Sequence, residues 1–184
     1  MTAASPPIVN FGWRAPDFRL PDTKGRIWTL KDLRGGKGVV LMFICNHCPY
    51  VLAVIDKIVR EGKSLRDLGF GVAAICSNDA AAQPDDSFEK MGAFARQHHF
   101  SFPYLHDVTQ SVARAYGAAC TPDFFGFNAD LQLQYRGRLD DSGRDPHPGA
   151  RRELYEAMRQ VAETGQGPRE QTPAIGCSIR WKNA

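Results

Sequence analysis

Cys45 and Cys48 stand three residues apart in the run VVLMFICNHCPYV, residues 39–51. Residues at that spacing on a helix lie about 5 to 6 Å apart, inside the Cα separation that a disulfide bridges. Two such thiols can therefore form and release a bond without rearranging the chain. The attacking species in this chemistry is the thiolate. Free N–H groups and the positive dipole end at the start of a helix favour it. On that argument Cys45 is expected to be the more exposed, attacking thiol, and Cys48, carried inward by the helix, the resolving one. His47 lies between them and is the side chain whose charge changes nearest neutral pH. A charged imidazole beside Cys45 would favour its thiolate and make the disulfide easier to reduce.

Other readings of the pair are poorer matches. A metal-binding module built on Cys45, Cys48 and His47 lacks a second Cys-x-x-Cys and the usual ligand spacing, so no metal is assigned. Inert core cysteines are a second alternative, and a structural disulfide closing so short a loop would add little constraint. Cys76 ends an apolar run and reads as core. Cys120 stands beside Thr121 and Pro122, and Cys177 lies in the tail GCSIRWK. Each is a candidate for an additional thiol. His98 and His99 read as a solvated last helical turn.

The elements that must position these residues alternate between two periodicities. Val39 to Ile44 are apolar and rich in β-branched types, a strand buried on both faces. From Pro49 onward Val51, Leu52, Ile55, Ile58, Val59, Leu65 and Leu68 recur at helical spacing. Pro49 suits a first helical turn. Val72 to Cys76 make a second buried strand, so strand, helix and strand form a parallel crossover.

Upstream, residues 1–16 are expected to lie over the surface, anchored by Phe11 or Trp13. Asp17 to Leu33 form a hairpin turning at Thr23-Lys24-Gly25. Downstream, Asp86, with Glu89 three residues later, is placed to cap a helix whose apolar face is Phe88, Met91, Phe94 and Ala95. Phe102 to His106 read as a strand, Thr109 starts a short helix ended by Gly117, and Asn128-Ala129-Asp130 turns a second hairpin. A last amphipathic helix runs from Arg151 to Glu163 and stops at Gly165.

The chain has 184 residues, 43% hydrophobic and 23% charged, which fits one soluble domain over 1–184. A net charge of +3, mixed along the sequence, calls for neither nucleic acid nor a membrane as partner. The N-terminus lacks a basic start and a long apolar core, so the expected location is cytoplasmic. Five cysteines in a reducing compartment point to thiol chemistry.

These marks together resemble the thioredoxin superfamily, most closely its peroxiredoxin-like, AhpC/TSA-related redoxin branch. The residues that carry the likeness are APDF at 15–18, KGRIWTLKDLRG, FICNHCPYV, VARAYG at 112–117, TPDFF at 121–125 and GCSIRWK at 176–182. The resemblance implies an α/β, thioredoxin-like fold: a central mixed sheet flanked by helices, with an N-terminal hairpin extension and a C-terminal tail. It implies a cis Pro122 facing the cysteines, and a Thr121 backbone that pairs with an extended partner segment whose sulfur meets Cys45.

The activity implied is thiol-disulfide exchange by Cys45 and Cys48, supported by His47, Thr121 and Pro122, with no cofactor beyond the sulfurs. Partners would be a protein or small-molecule disulfide and a thiol electron donor. A thiol-dependent peroxidase is the alternative. The peroxiredoxin signature has proline and threonine seven and three residues before its reacting cysteine. From Cys48 those positions hold Leu41 and Cys45, and from Cys45 they hold Gly38 and Met42. Thioredoxin's tryptophan is replaced by Ile44, and its buried acid by an apolar residue near Val39, so the proton must move through water or another group, which would slow exchange or narrow its partners.

Overall fold

The computed structural model describes residues 3–4 and 10–182; of the N-terminal surface segment, residues 1, 2 and 5–9 lie outside the described ones. The elements run β1 (Ala3–Ala4), β2 (Arg19–Pro21), β3 (Ile27–Thr29), α1 (Leu30–Leu33), β4 (Gly38–Phe43), α2 (Pro49–Leu52), α3 (Ile55–Asp67), β5 (Phe70–Cys76), α4 (Phe88–Gln97), β6 (Tyr104–His106), α5 (Ser111–Tyr116), β7 (Cys120–Thr121), β8 (Asp123–Phe127), β9 (Leu133–Gly137), α6 (Glu153–Thr164) and β10 (Gly176–Ser178).

The apolar run before the cysteines makes the middle of the main sheet, because every residue of β4 is fully buried. Its order is β6-β5-β4-β8-β9, with β4, β5 and β6 parallel and β8 and β9 antiparallel. Alternation along β4 divides the core. Val40 and Met42 pack with Ile55, Ile58 and Leu65 of α3 and Leu154 and Met158 of α6. Val39, Leu41 and Phe43 pack on the other face with Leu30 and Leu33 of α1 and Val112 and Tyr116 of α5. Burying each large apolar side chain contributes about 1.5–3 kcal/mol, so the strand end that carries Cys45 is firmly held. Arg152 at the start of α6 grips the buried Glu61 of α3 in a two-point contact of 2.7 and 2.8 Å, a geometry that fixes orientation as well as charge.

The N-terminal hairpin is present, β2 against β3, and Trp13 anchors its approach by edge contact with Tyr116 at 5.6 Å, while Phe11 is exposed. Several expectations are corrected. The helix after Pro49 is interrupted: α2 is a single turn, Val54 leaves helical geometry at φ −122°, and α3 begins afresh. Leu52 consequently faces solvent. Asp86 caps nothing; it closes a 3-10 turn from Pro84, and Ser87 caps α4 by accepting from the Lys90 N–H. Phe88 is exposed and lies outside the apolar face that Met91 and Phe94 make. Among the described residues, no helix is long and apolar enough to cross a membrane.

Candidate active site

The site forms where β4 ends. Phe43 pairs with Asp123 of β8, so the residues just before β8, Thr121 and Pro122, lie beside Cys45 and Cys48. The Thr121–Pro122 peptide is cis. The Thr121 hydroxyl meets the Cys45 Sγ at 3.3 Å, and in its thiol form Cys48 donates to the Thr121 carbonyl at 3.2 Å. The tail then folds over the same place: β10 runs antiparallel to β7 with Cys177 opposite Thr121. That register brings the Cys177 Sγ to 2.9 Å from the Cys48 Sγ.

Both Cys45 and Cys48 are fully buried, so the expected difference in exposure between them does not exist. The helix start belongs to Cys48, whose successor Pro49 occupies the first helical position. Cys45 lies ahead of it, in the bend after β4. Donors converge on the Cys48 sulfur. A hydrogen bond from the Cys45 thiol pulls its pKa down to about 5, against burial, with help from the Cys177 thiol, the Thr121 hydroxyl and the Val51 N–H. The same hydrogen bond pushes the Cys45 thiol well above its ordinary range, aided by burial and by the Asp86 charge. Burial, and then the contact with Cys48, push the Cys177 thiol up to about 12. Of the pair, ionisation is thus favoured at Cys48.

His47 is tied to a residue whose role the sequence reading missed. Its Nδ1 lies 2.6 Å from the Asp86 Oδ2. Asp86 is fully buried and also accepts from the Asn46 N–H at 2.7 Å and the Asn78 side chain at 2.8 Å. Tyr104 donates to the Asn46 side chain at 2.9 Å, steadying the bend. A Cys45 Sγ, a His47 ring nitrogen and an Asp86 oxygen lie within 4.8 Å of one another. These three could ligate a metal ion, a set with Asp86 in the place of Cys48. Because the Asp86 oxygens already serve three donors, the arrangement fits an oriented imidazole better. His47 Nε2 is buried with no hydrogen-bond partner among the described residues.

Of the remaining cysteines, Cys76 is a core residue with its thiol pushed up to about 12 by burial. Cys120 is fully buried; its thiol contacts the Pro122 carbonyl at 3.7 Å, and burial raises it far above the ordinary range. The structure brings Cys177, and not Cys120, against the reactive pair.

A family model described as AhpC/TSA matches residues 11–136. The chain belongs to the AhpC/TSA family. Thiol-disulfide oxidoreductase ResA of Geobacillus thermodenitrificans is 32% identical over 64% of this chain and 63% of its own length, so the match spans less than two thirds of that relative. Alkyl hydroperoxide reductase E of Mycobacterium bovis is 30% identical over 74% of this chain and 82% of its own. A crystal structure of a conserved protein from Geobacillus kaustophilus superposes with a TM-score of 0.94 at 41% identity, covering 100% of this chain and 98% of that one. The thioredoxin domain of a Bacteroides vulgatus thiol-disulfide oxidoreductase superposes at 0.63 with 15% identity, covering 84% and 99% respectively. The fold is thioredoxin-like, a mixed sheet flanked by helices.

Proposed function

We propose that this protein is a thiol-disulfide oxidoreductase in which Cys48 attacks and Cys45 resolves. The observation that carries the reading is the position of the Cys48 sulfur at the start of α2, 2.9 Å from the Cys177 Sγ and 3.2 Å from the Thr121 carbonyl, with neighbours that favour its ionisation over that of Cys45. The Cys48 thiolate attacks a substrate disulfide, one half leaves as a thiolate, and a mixed disulfide forms on Cys48. Cys45 then surrenders its proton to His47, which Asp86 orients, and attacks the Cys48 sulfur. The second half of the substrate leaves, and Cys45 and Cys48 are oxidised together by two electrons. A thiol electron donor reopens the bond.

The substrate is a protein or small-molecule disulfide, a reading supported by the likeness to the Geobacillus thermodenitrificans oxidoreductase. The cytoplasm, a reducing compartment, would keep the five cysteines as thiols between turnovers.

Dithiothreitol-driven insulin reduction, with mixed-disulfide trapping, tests this assignment. Cys48→Ser is expected to abolish turnover and to form no glutathione adduct at Cys45. Cys45→Ser is expected still to form an adduct on Cys48. An adduct on Cys45 in the Cys48→Ser protein would reverse the two roles.

A further inference from the structure

The three sulfurs of Cys45, Cys48 and Cys177 are 0, 0 and 5% exposed, and part of what covers them is the chain's own tail. β10 is an extended segment added to the edge of β7, the manner in which extended peptides dock on sheets. Its close approach depends on Gly176: a Cβ there would meet the Thr121 carbonyl oxygen at 2.1 Å. With Cys177 opposite Thr121, this docked strand delivers one sulfur, and it delivers it to Cys48 at 2.9 Å. The partner segment expected to pair with Thr121 is thus found inside the molecule, facing Cys48 and not Cys45.

We propose that Cys177 is a second resolving thiol, and that β10 serves as a built-in partner that closes a disulfide with Cys48. The proposal rests on the reading of Cys48 as the attacking residue. Once a substrate disulfide has left one half on Cys48, the Cys177 thiol loses its proton and its sulfur attacks the Cys48 Sγ. The Cys48–substrate bond breaks, the second half leaves as a thiolate that takes up the proton, and a Cys48–Cys177 bond forms. Two protein thiols have been oxidised by two electrons and one substrate disulfide reduced to two thiols. Cys45, in contact with the same Cys48 sulfur, can then attack it, moving the bond to Cys45–Cys48 and returning Cys177 to the thiol. The tail is covalently fastened over the site in the first state and free in the second.

The test uses Cys45→Ser, in which Cys177 is the one remaining thiol in contact with Cys48. The reduced variant is mixed with oxidised glutathione, quenched with acid, alkylated and analysed by peptide mass spectrometry. Trypsin would leave Cys48 on residues 38–57 and Cys177 on residues 170–180. The expected result is a cross-link between these peptides, with the glutathione adduct on Cys48 shorter-lived by about tenfold or more than in C45S/C177S, because an intramolecular thiol has a high effective concentration. C45S/C177A repeats the comparison without adding a hydroxyl. An adduct equally long-lived in C45S and both double variants, with Cys177 alkylated throughout, overturns the role of Cys177. In that event, Cys45–Cys48 closure in C177S leaves the assignment of Cys48 and Cys45 standing. If Cys48 takes up no glutathione in any variant, both readings fall.

Discussion

His47 and Asp86 meet at 2.6 Å, Nδ1 to Oδ2, across 39 residues of chain. The contact holds the imidazole against a fully buried carboxylate, with a ring nitrogen within 4.8 Å of the Cys45 Sγ. Cys45 needs such help, since its thiol is held well above the ordinary range. Asp86 acts through His47 and is a positioning residue. In a Cys177→Ser background, where Cys45 alone resolves, Asp86→Asn is expected to slow release of glutathione from the Cys48 adduct by roughly a hundredfold near neutral pH, the scale of a general base. The deficit should narrow as pH rises and Cys45 ionises unaided. Stopped-flow rates against pH check this, and a deficit that stays constant across the profile would mean that Asp86 serves folding alone.

Removing the imidazole has a separate effect on the equilibrium. His47→Ala leaves the Asp86 charge facing Cys45 without an intervening partner. Thiolate character at the pair is then disfavoured, the disulfide becomes harder to reduce, and the reduction potential falls. Equilibration against glutathione buffers measures it. A midpoint equal to that of the unmodified protein excludes a role for His47 in the redox balance.

The ionisation of Cys48 has a defined sign. Its folded pKa of about 5 lies below the ordinary thiol value of 9.0, so between those pH values the unfolded chain holds a proton that the folded chain has lost. Stability contributed by this group is therefore full above pH 9.0, declines as the pH falls, and is gone below about 5. Thiolate absorbance at 240 nm should titrate with a midpoint near 5 in the reduced protein and lose that step in Cys48→Ser. A single step near 9.0 in both proteins would remove the basis for Cys48 as the attacking sulfur.

A hydroperoxide approaching Cys48 meets the Thr121 carbonyl at 3.2 Å, an acceptor, and thiols at Cys45 and Cys177 beside the single Thr121 hydroxyl. Consumption of hydrogen peroxide by the reduced protein should be no faster than by free cysteine at an equal thiolate fraction. A fast phase that disappears in Cys48→Ser would move the protein to the peroxidase side of its family.

Much of this site is legible in the residues themselves, because the signals are local. The apolar run from Val39 to Ile44, a proline at a first helical turn and Thr121-Pro122 before a strand each act through their neighbours. Pro49 favours the first helical position, which puts Cys48 and not Cys45 at the helix start. What escaped depends on distant pairing. Asp86 matched a capping pattern with Glu89, yet burial of its carboxylate against Asn46 and His47 outweighs one cap, and Ser87 was available for that duty. Cys177 was legible as a candidate thiol in GCSIRWK, but its pairing with Cys48 was not, since its position is fixed by strand register with β7. The break at Val54 was hidden by an apolar spacing that continues across it.

β10 is flanked on one side by β7 and on the other by β1, whose Ala3 stands opposite Cys177. The strand that delivers Cys177 to the site is therefore held along both edges. An affinity tag that strains the β1 edge is a hazard for assays of this protein. An internal loop far from β7, such as the turn at Asn128 to Asp130, offers the safer attachment point.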